Sequence, residues 1–254
     1  MSLKRLLLVL FLLLFTFLLG LGIMTSHLFS NEQKLNARLD VQHRSLLLAD
    51  ELRQSSDDLT LMARTYVTTG NTKYEHQYLA VLDVRNGKIP RPVDYNLAYW
   101  DLYLEEGHQP RPAGETISLH DLMVREGFTS VELAKLTEAQ NNSDILVKLE
   151  RIAMNASKGL FDDGNGNFTV KKKPDRELAM RLLNDETYHK AKASIMKPIN
   201  ECAVLVDNRT STEIHSIQQH SINLSRGIIT LIFIVLGILI AAFVFIQRQI
   251  TRRV

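Results

Sequence analysis

Residues 6–24 read LLLVLFLLLFTFLLGLGIM, a run with no charged position. Coiled as a helix at about 1.5 Å per residue, it would be roughly 28 Å long, the thickness of a bilayer's hydrocarbon core. Residues 228–246, IITLIFIVLGILIAAFVFI, repeat the pattern near the other end of the chain. A cleaved signal sequence has an apolar core of roughly 7–15 residues followed by small residues at a cleavage site. The first run is longer, and the MTSHLF that closes it at 24–29 offers no such site. Both runs are therefore expected to be membrane helices in contact with lipid.

The basic residues orient them. Lys4 and Arg5 precede the first run, and Arg248, Arg252 and Arg253 follow the second. The positive-inside bias then puts both termini in the cytoplasm and residues 27–226 outside it. The formal net charge of +2 over 254 residues carries no signature of a nucleic-acid partner. Cys202 is the only cysteine, so the exported part is expected to hold together by packing rather than by an internal disulfide.

Between the two runs the prolines mark where long helices can form. They stand at 90, 92, 110, 112, 174 and 198, leaving residues 1–89 and 113–173 free of them. A proline in a helix interior costs about 3 kcal/mol. In the first gap Leu28, Leu35, Leu39, Leu46, Leu59, Met62 and Tyr66 continue a helical stripe until Gly70. One helix over residues 6–68 would be on the order of 90 Å long. After Pro198, the residues Ile199, Cys202, Val206, Ile214, Ile217, Ser221, Leu224 and Ile228 keep a spacing of three to four into the second run. A third long helix is signalled by the capping box Thr129-x-x-Glu132 and ends at Gly159. The expected fold is mainly α: a bundle of long helices with a compact short-helix insert over residues 74–123 and one small β-hairpin. In the insert, YNLAYWDLY sets Tyr95, Tyr99 and Tyr103 at helical spacing, Ser118 caps a short helix, and two Pro-Arg-Pro tripeptides form extended connectors. FDDGNGNF at 161–168 supplies the hairpin turn.

Enzyme chemistry finds no footing in these residues. Asp163, Asn165 and Asn167 alternate as in a calcium loop, but Phe168 stands where that loop needs glycine and Pro174 where it needs a bidentate glutamate. The histidines show no H-x-x-x-H or H-E-x-x-H pair, so no metal and no cofactor is expected. A binding pocket is the better expectation, since pockets combine apolar walls with a few directed polar groups. Arg64, with Thr60 and Tyr66 beside it, could clamp an anionic group, while Tyr99 and Trp100 could wall a ring or a quaternary amine next to Asp101. The competing reading pairs Arg64 with Asp57 or Asp101 and puts the aromatic residues in the core.

The stretches ELRQSSDDLTLMARTYVTTGNTKYEHQY, RNGKIPRPVDYNLAYWDL, SLHDLMVREGFTSVELAKLTEAQNNSDILVKLERIAMNA and YHKAKASIMKPI together resemble the exported sensor region of bacterial transmembrane receptors. In that group the region precedes histidine kinase, diguanylate or adenylate cyclase, or chemoreceptor modules. The closing QRQITRRV resembles the start of a HAMP linker. The resemblance implies a periplasmic helical sensor at residues 27–226 of a bacterial inner-membrane receptor. A membrane helix within 1–26 and another at 227–247 flank it, and a linker starts at 248–254. It implies a homodimer, a small-molecule or periplasmic protein ligand, and an output domain that this chain does not carry, whether as a fragment or as a short receptor. The alternative is a membrane-anchored scaffold that binds a protein partner or dimerises without any small molecule.

Overall fold

The structure is a computed structural model and describes residues 3–104 and 107–251; Arg252 and Arg253, and with them the end of the linker-like segment, lie outside the described residues. Its elements are α1 (Leu3–Thr69), α2 (Thr72–Arg85), a 3-10 turn (Trp100–Leu102), α3 (Leu119–Arg125), α4 (Ser130–Lys158), strands β1 (Leu160–Phe161) and β2 (Val170–Lys171), α5 (Arg176–Leu182) and α6 (Glu186–Thr251). The protein is mainly helical, and it divides into two compact units. One consists of Met1–Asp40 with Thr210–Val254, the other of Val41–Arg209.

In the first unit the leading part of α1 and the trailing part of α6 lie antiparallel. Arg38 pairs with Glu213 at 3.2 Å. A Cβ placed on Gly227 would come within 2.6 Å of the Met24 side chain, and one on Gly20 within 4.0 Å of Leu231. Both helices are long and apolar enough to cross a membrane. Leu8, Phe11, Leu18, Phe233, Ile240 and Phe243 all point outward, an exposed apolar surface that water would not tolerate. The hydroxyls in these runs bond to their own helix: Thr16 donates to the Leu13 carbonyl at 2.8 Å and Thr230 to that of Arg226 at 2.8 Å. No polar group of theirs is left to seek water.

The second unit is a bundle. Leu59, Met62 and Val67 of α1, Tyr78 and Val81 of α2, Leu146 and Met154 of α4, and Tyr188, Ile195 and Val206 of α6 share one buried core. α1 ends where the sequence predicts, at Gly70 with φ 71°. The chain then restarts at once, because Asn71 Oδ1 accepts from the Lys73 amide at 3.0 Å and caps α2. Thus α2 occupies the start of what the sequence marks as the insert. The capping box of α4 is formed as expected, and Glu132 does more than cap: it also accepts from Arg209 of α6 at 2.9 and 3.3 Å. Gly159 ends α4 at φ 78°, and a Cβ there would lie 2.3 Å from the Lys172 carbonyl oxygen, so the hairpin packs onto it only because the side chain is absent. β1 and β2 pair antiparallel, with Leu160 opposite Lys171, as the turn sequence suggests.

Two expectations are corrected. Pro198 does not delimit a helix; it lies inside α6, which begins at Glu186. A proline cannot donate to the carbonyl four residues back, here that of Ser194. The side chain of Asn142 on α4 takes that carbonyl instead, at 2.9 Å, so the helix runs through without an orphaned acceptor. Second, Tyr95, Tyr99 and Tyr103 do not lie on a helical face. The Pro-Arg-Pro connectors meet in an antiparallel bridge between Pro92 and Ala113, with the Val93 amide donating to the Pro112 carbonyl at 3.0 Å. Closing that neck forces the chain between them into a loop that turns through Asp94 at φ 51°. Only Trp100–Leu102 coils there, as one 3-10 turn.

Candidate functional site

Two polar-aromatic centres lie within the second unit. The first is a buried network joining four helices. Glu150 of α4 is 1% exposed. Its carboxylate accepts from the Tyr78 hydroxyl of α2 at 2.9 Å and the Tyr188 hydroxyl of α6 at 2.7 Å. Tyr188 also lies 2.9 Å from Thr60 Oγ1 of α1. Lys192 donates to Ser56 Oγ at 2.8 Å and Thr60 Oγ1 at 3.1 Å and pairs with Asp57 at 3.0 Å. Burial raises the Glu150 carboxyl above its usual range, with the two tyrosine hydroxyls and Lys192 pulling it back. Burial likewise lowers the Lys192 ammonium, which Asp57 partly restores. A shell of hydrogen-bonded partners is what makes a buried carboxylate tolerable, and here it links α1, α2, α4 and α6.

The second centre is a cavity of about 260 Å³ between α2 and the aromatic loop. Ala80 and Val84 of α2 and the rings of Pro90 and Pro92 form apolar wall, while Tyr99, Trp100 and Tyr103 supply the aromatic side. The three rings hold one another: Tyr99 meets Trp100 edge-on at 4.9 Å between centroids and stacks with Tyr103 at 6.2 Å. Trp100 spends its indole N–H on the Tyr95 hydroxyl at 2.9 Å. Gln77, from the middle of α2, is 3% exposed and also lines the cavity. Its Nε2 donates to the Tyr103 carbonyl at 3.1 Å, while its Oε1 is buried without any partner. An orphaned acceptor in such a place is costly, on the order of 1–3 kcal/mol.

These positions separate the six site residues that the sequence singles out. Arg64 and Thr60 belong to the four-helix network. Arg64 donates to the Leu183 carbonyl at 3.1 and 2.8 Å and covers the Tyr188 ring at 5.1 Å. It therefore pairs with neither Asp57 nor Asp101; Asp57 is held by Arg53 at 2.8 Å and by Lys192. Tyr66 is a core residue with Lys158 over its ring at 5.6 Å. Tyr99 and Trp100 wall the cavity. Asp101 is exposed on the 3-10 turn, and its charge helps raise Asp58 of α1. Gln77 and Lys73 are the cavity residues that sequence reasoning overlooks. The signal that could have found them is the spacing 73, 77, 80 and 84, one face of a helix that opens immediately after Gly70.

In the turn 161–168, Asp162 Oδ1 accepts from the amides of Gly164 at 2.7 Å and Gly166 at 2.9 Å. Asp163 accepts from the amides of Asn165 at 2.8 Å and Asn167 at 3.3 Å, so the loop's own backbone uses these carboxylates. No protein family, curated protein or solved structure matches this chain.

Proposed function

We propose that this protein is the input module of a bacterial transmembrane signalling receptor. In this reading the two apolar runs cross the inner membrane, both termini are cytoplasmic, and residues 27–226 face the periplasm. The second unit binds a small molecule in the cavity beside Trp100 and passes the event to an output domain through α1 and α6. The observation that carries the reading is a cavity of about 260 Å³ walled by Tyr99, Trp100 and Tyr103 and bordered by the polar Lys73 and Gln77 of α2. Apolar and aromatic walls with a few polar groups among them are the usual make-up of a small-molecule site.

Binding that favours one arrangement of α1 against α6 within this unit by about 1–3 kcal/mol would suffice for a receptor's coupling. The buried network is suited to that, because Thr60, Glu150, Tyr188 and Lys192 change partners if either helix shifts. A homodimer fits the reading, as two copies in one membrane give the displacement a reference.

The test has two parts. Cysteine placed at exposed Leu102 should react with a membrane-impermeant maleimide in intact spheroplasts, while Cys202, buried, stays unlabelled. Thermal unfolding of the full chain in nanodiscs should rise in the presence of at least one compound of a metabolite panel, as binding to the folded state requires. Labelling only after lysis sinks the topology; a flat panel sinks the sensing.

One observation favours a second reading. Val93, Leu97, Leu102 and Leu104 of the aromatic loop are all exposed. Such a patch fits a scaffold that binds a periplasmic protein or a second copy of itself. A partner captured by cross-linking from this loop, with no compound stabilising the chain, would favour it.

A further inference from the structure

We propose that Glu150 is a buried proton-binding switch: the chain of hydrogen bonds that runs from it through Tyr188 to Thr60 holds the carboxyl either ionised or protonated, and reverses direction between the two states without moving a heavy atom. This goes beyond the sensing reading above and does not depend on the cavity.

The hydrogens in the chain can be counted. Three contacts follow one another: Glu150 Oε1 to Tyr188 Oη at 2.7 Å, Tyr188 Oη to Thr60 Oγ1 at 2.9 Å, and Thr60 Oγ1 to the Ser56 carbonyl at 3.0 Å. Each needs one hydrogen, and the two hydroxyls supply only two. Lys192 has none to spare, because its three N–H groups meet Ser56 Oγ at 2.8 Å, Thr60 Oγ1 at 3.1 Å and Asp57 at 3.0 Å. A proton on Glu150 Oε1 completes the set. Glu150 then donates to Tyr188, Tyr188 to Thr60, and Thr60 to the Ser56 carbonyl. When that proton leaves for water, the Thr60 hydroxyl rotates to donate to Tyr188, and Tyr188 donates to the carboxylate. Only the Ser56 carbonyl loses a bond, and it keeps the Thr60 amide of its own helix. In both states Glu150 Oε2 accepts from Tyr78 at 2.9 Å.

The surroundings pull in opposite directions. Glu150 is 1% exposed, and loss of water raises its carboxyl, which favours the proton. Lys192 of α6 and Arg85 of α2 favour the charge. Arg85 is itself held by Ser143 at 2.8 Å and Asp144 at 3.0 Å. On α1, Arg64 covers the Tyr188 ring at 5.1 Å, while Asp57 and Asp58 both attract Lys192. Burial and then the Glu150 charge push the Tyr78 and Tyr188 hydroxyls up, so both phenols keep their protons and the carboxyl alone changes state.

The test follows the full chain in alkyl-glycoside micelles, which have no carbonyl group, by infrared difference spectroscopy between about pH 8 and about pH 5.5, where ordinary carboxyls stay largely ionised. Asp58→Asn is the background, since the Asp58 carboxyl is also raised. On acidification a protonated-carboxyl C=O band should grow in, and adding Glu150→Gln should abolish it. A carboxyl raised in the folded state supports the fold toward acid and loses that support as pH climbs through its folded value. The melting temperature should therefore rise more steeply toward acid with Glu150 in place than in Glu150→Gln. Tyr188→Phe removes a donor to the ionised form and should move the midpoint of the band up by about one pH unit, tenfold in proton affinity. No band, a band that Glu150→Gln leaves in place, or a midpoint that Tyr188→Phe leaves unmoved overturns the inference. If Glu150→Gln fails to fold by near-ultraviolet circular dichroism, the shift in Tyr188→Phe decides alone. A flat metabolite panel leaves this result standing, and a missing band leaves the cavity reading standing.

Discussion

Replacing Asp58 by asparagine should stabilise the protein at neutral pH and do nothing at low pH. Asp58 sits half-buried on α1, and its carboxyl is pushed up from 3.8 to about 7, chiefly by loss of water and then by the charges of Asp101 and Asp57. An acid raised in the folded state supports folding fully below its unfolded value and loses that support as pH climbs through the folded one. A rise of that size, at ~1.36 kcal/mol per pH unit, corresponds to about 4 kcal/mol. Water on the open side of the carboxyl screens the interaction, and about 1–2 kcal/mol is the fair expectation. For a unit of this size that is a melting-temperature gain of about 2–8 °C. Circular-dichroism melts of the wild type and Asp58→Asn should coincide below pH 4, diverge between 4 and 7, and stay apart above about 7. Asp101→Asn should narrow the gap by removing the larger of the two repelling charges. Melting curves that run parallel from pH 4 to 8 would refute the reasoning, because they would mean that the carboxyl ionises alike in both states.

Tyr188→Phe removes a donor to a buried carboxylate, and chemical denaturation should show a loss of about 1.5–3 kcal/mol. Asn142→Ala uncovers the Ser194 carbonyl and should cost about 1 kcal/mol, but much less in a Pro198→Ala background, where the restored amide takes over. A double-mutant cycle without that coupling would contradict the account of the proline. Gly159→Ala should lower the melting temperature markedly, because a methyl group meets the Lys172 carbonyl oxygen at 2.3 Å on a backbone at φ 78°. Thr129→Ala, by comparison, should cost only about 1 kcal/mol, the usual worth of a cap.

How far these features could be read in the chain depended on whether the cause was local. Thr129, Glu132, Ser118 and Gly159 announced their helix ends because a cap bonds within three residues or sets one dihedral angle. Pro198 misled because its remedy, Asn142, lies on another helix and no neighbour in sequence reveals it. Helix α2 was obscured because Asn71 caps it just two residues after α1 ends, so a stop signal and a start signal overlapped. Tyr95, Tyr99 and Tyr103 have helical spacing, but the neck at Pro92 and Ala113 overrode it. The same division holds for the site. Residue type left open whether Tyr99 and Trp100 would wall a pocket or pack in the core, and they border the cavity while being buried in the core; the facing of Arg64 toward Leu183, and the orphaned oxygen of Gln77, were settled only by tertiary packing.

The amide that Asn142 lends to Ser194 acts as a rivet between α4 and α6. Sliding α6 lengthwise by one turn, about 5.4 Å, would shear it and leave that exposed carbonyl to water, since the proline has no amide to offer. Tilting α6 about that point would leave the fastening whole. A lengthwise slide of α6 past α4 therefore gives up this bond, worth about 0.5–1.5 kcal/mol, while a tilt about it does not.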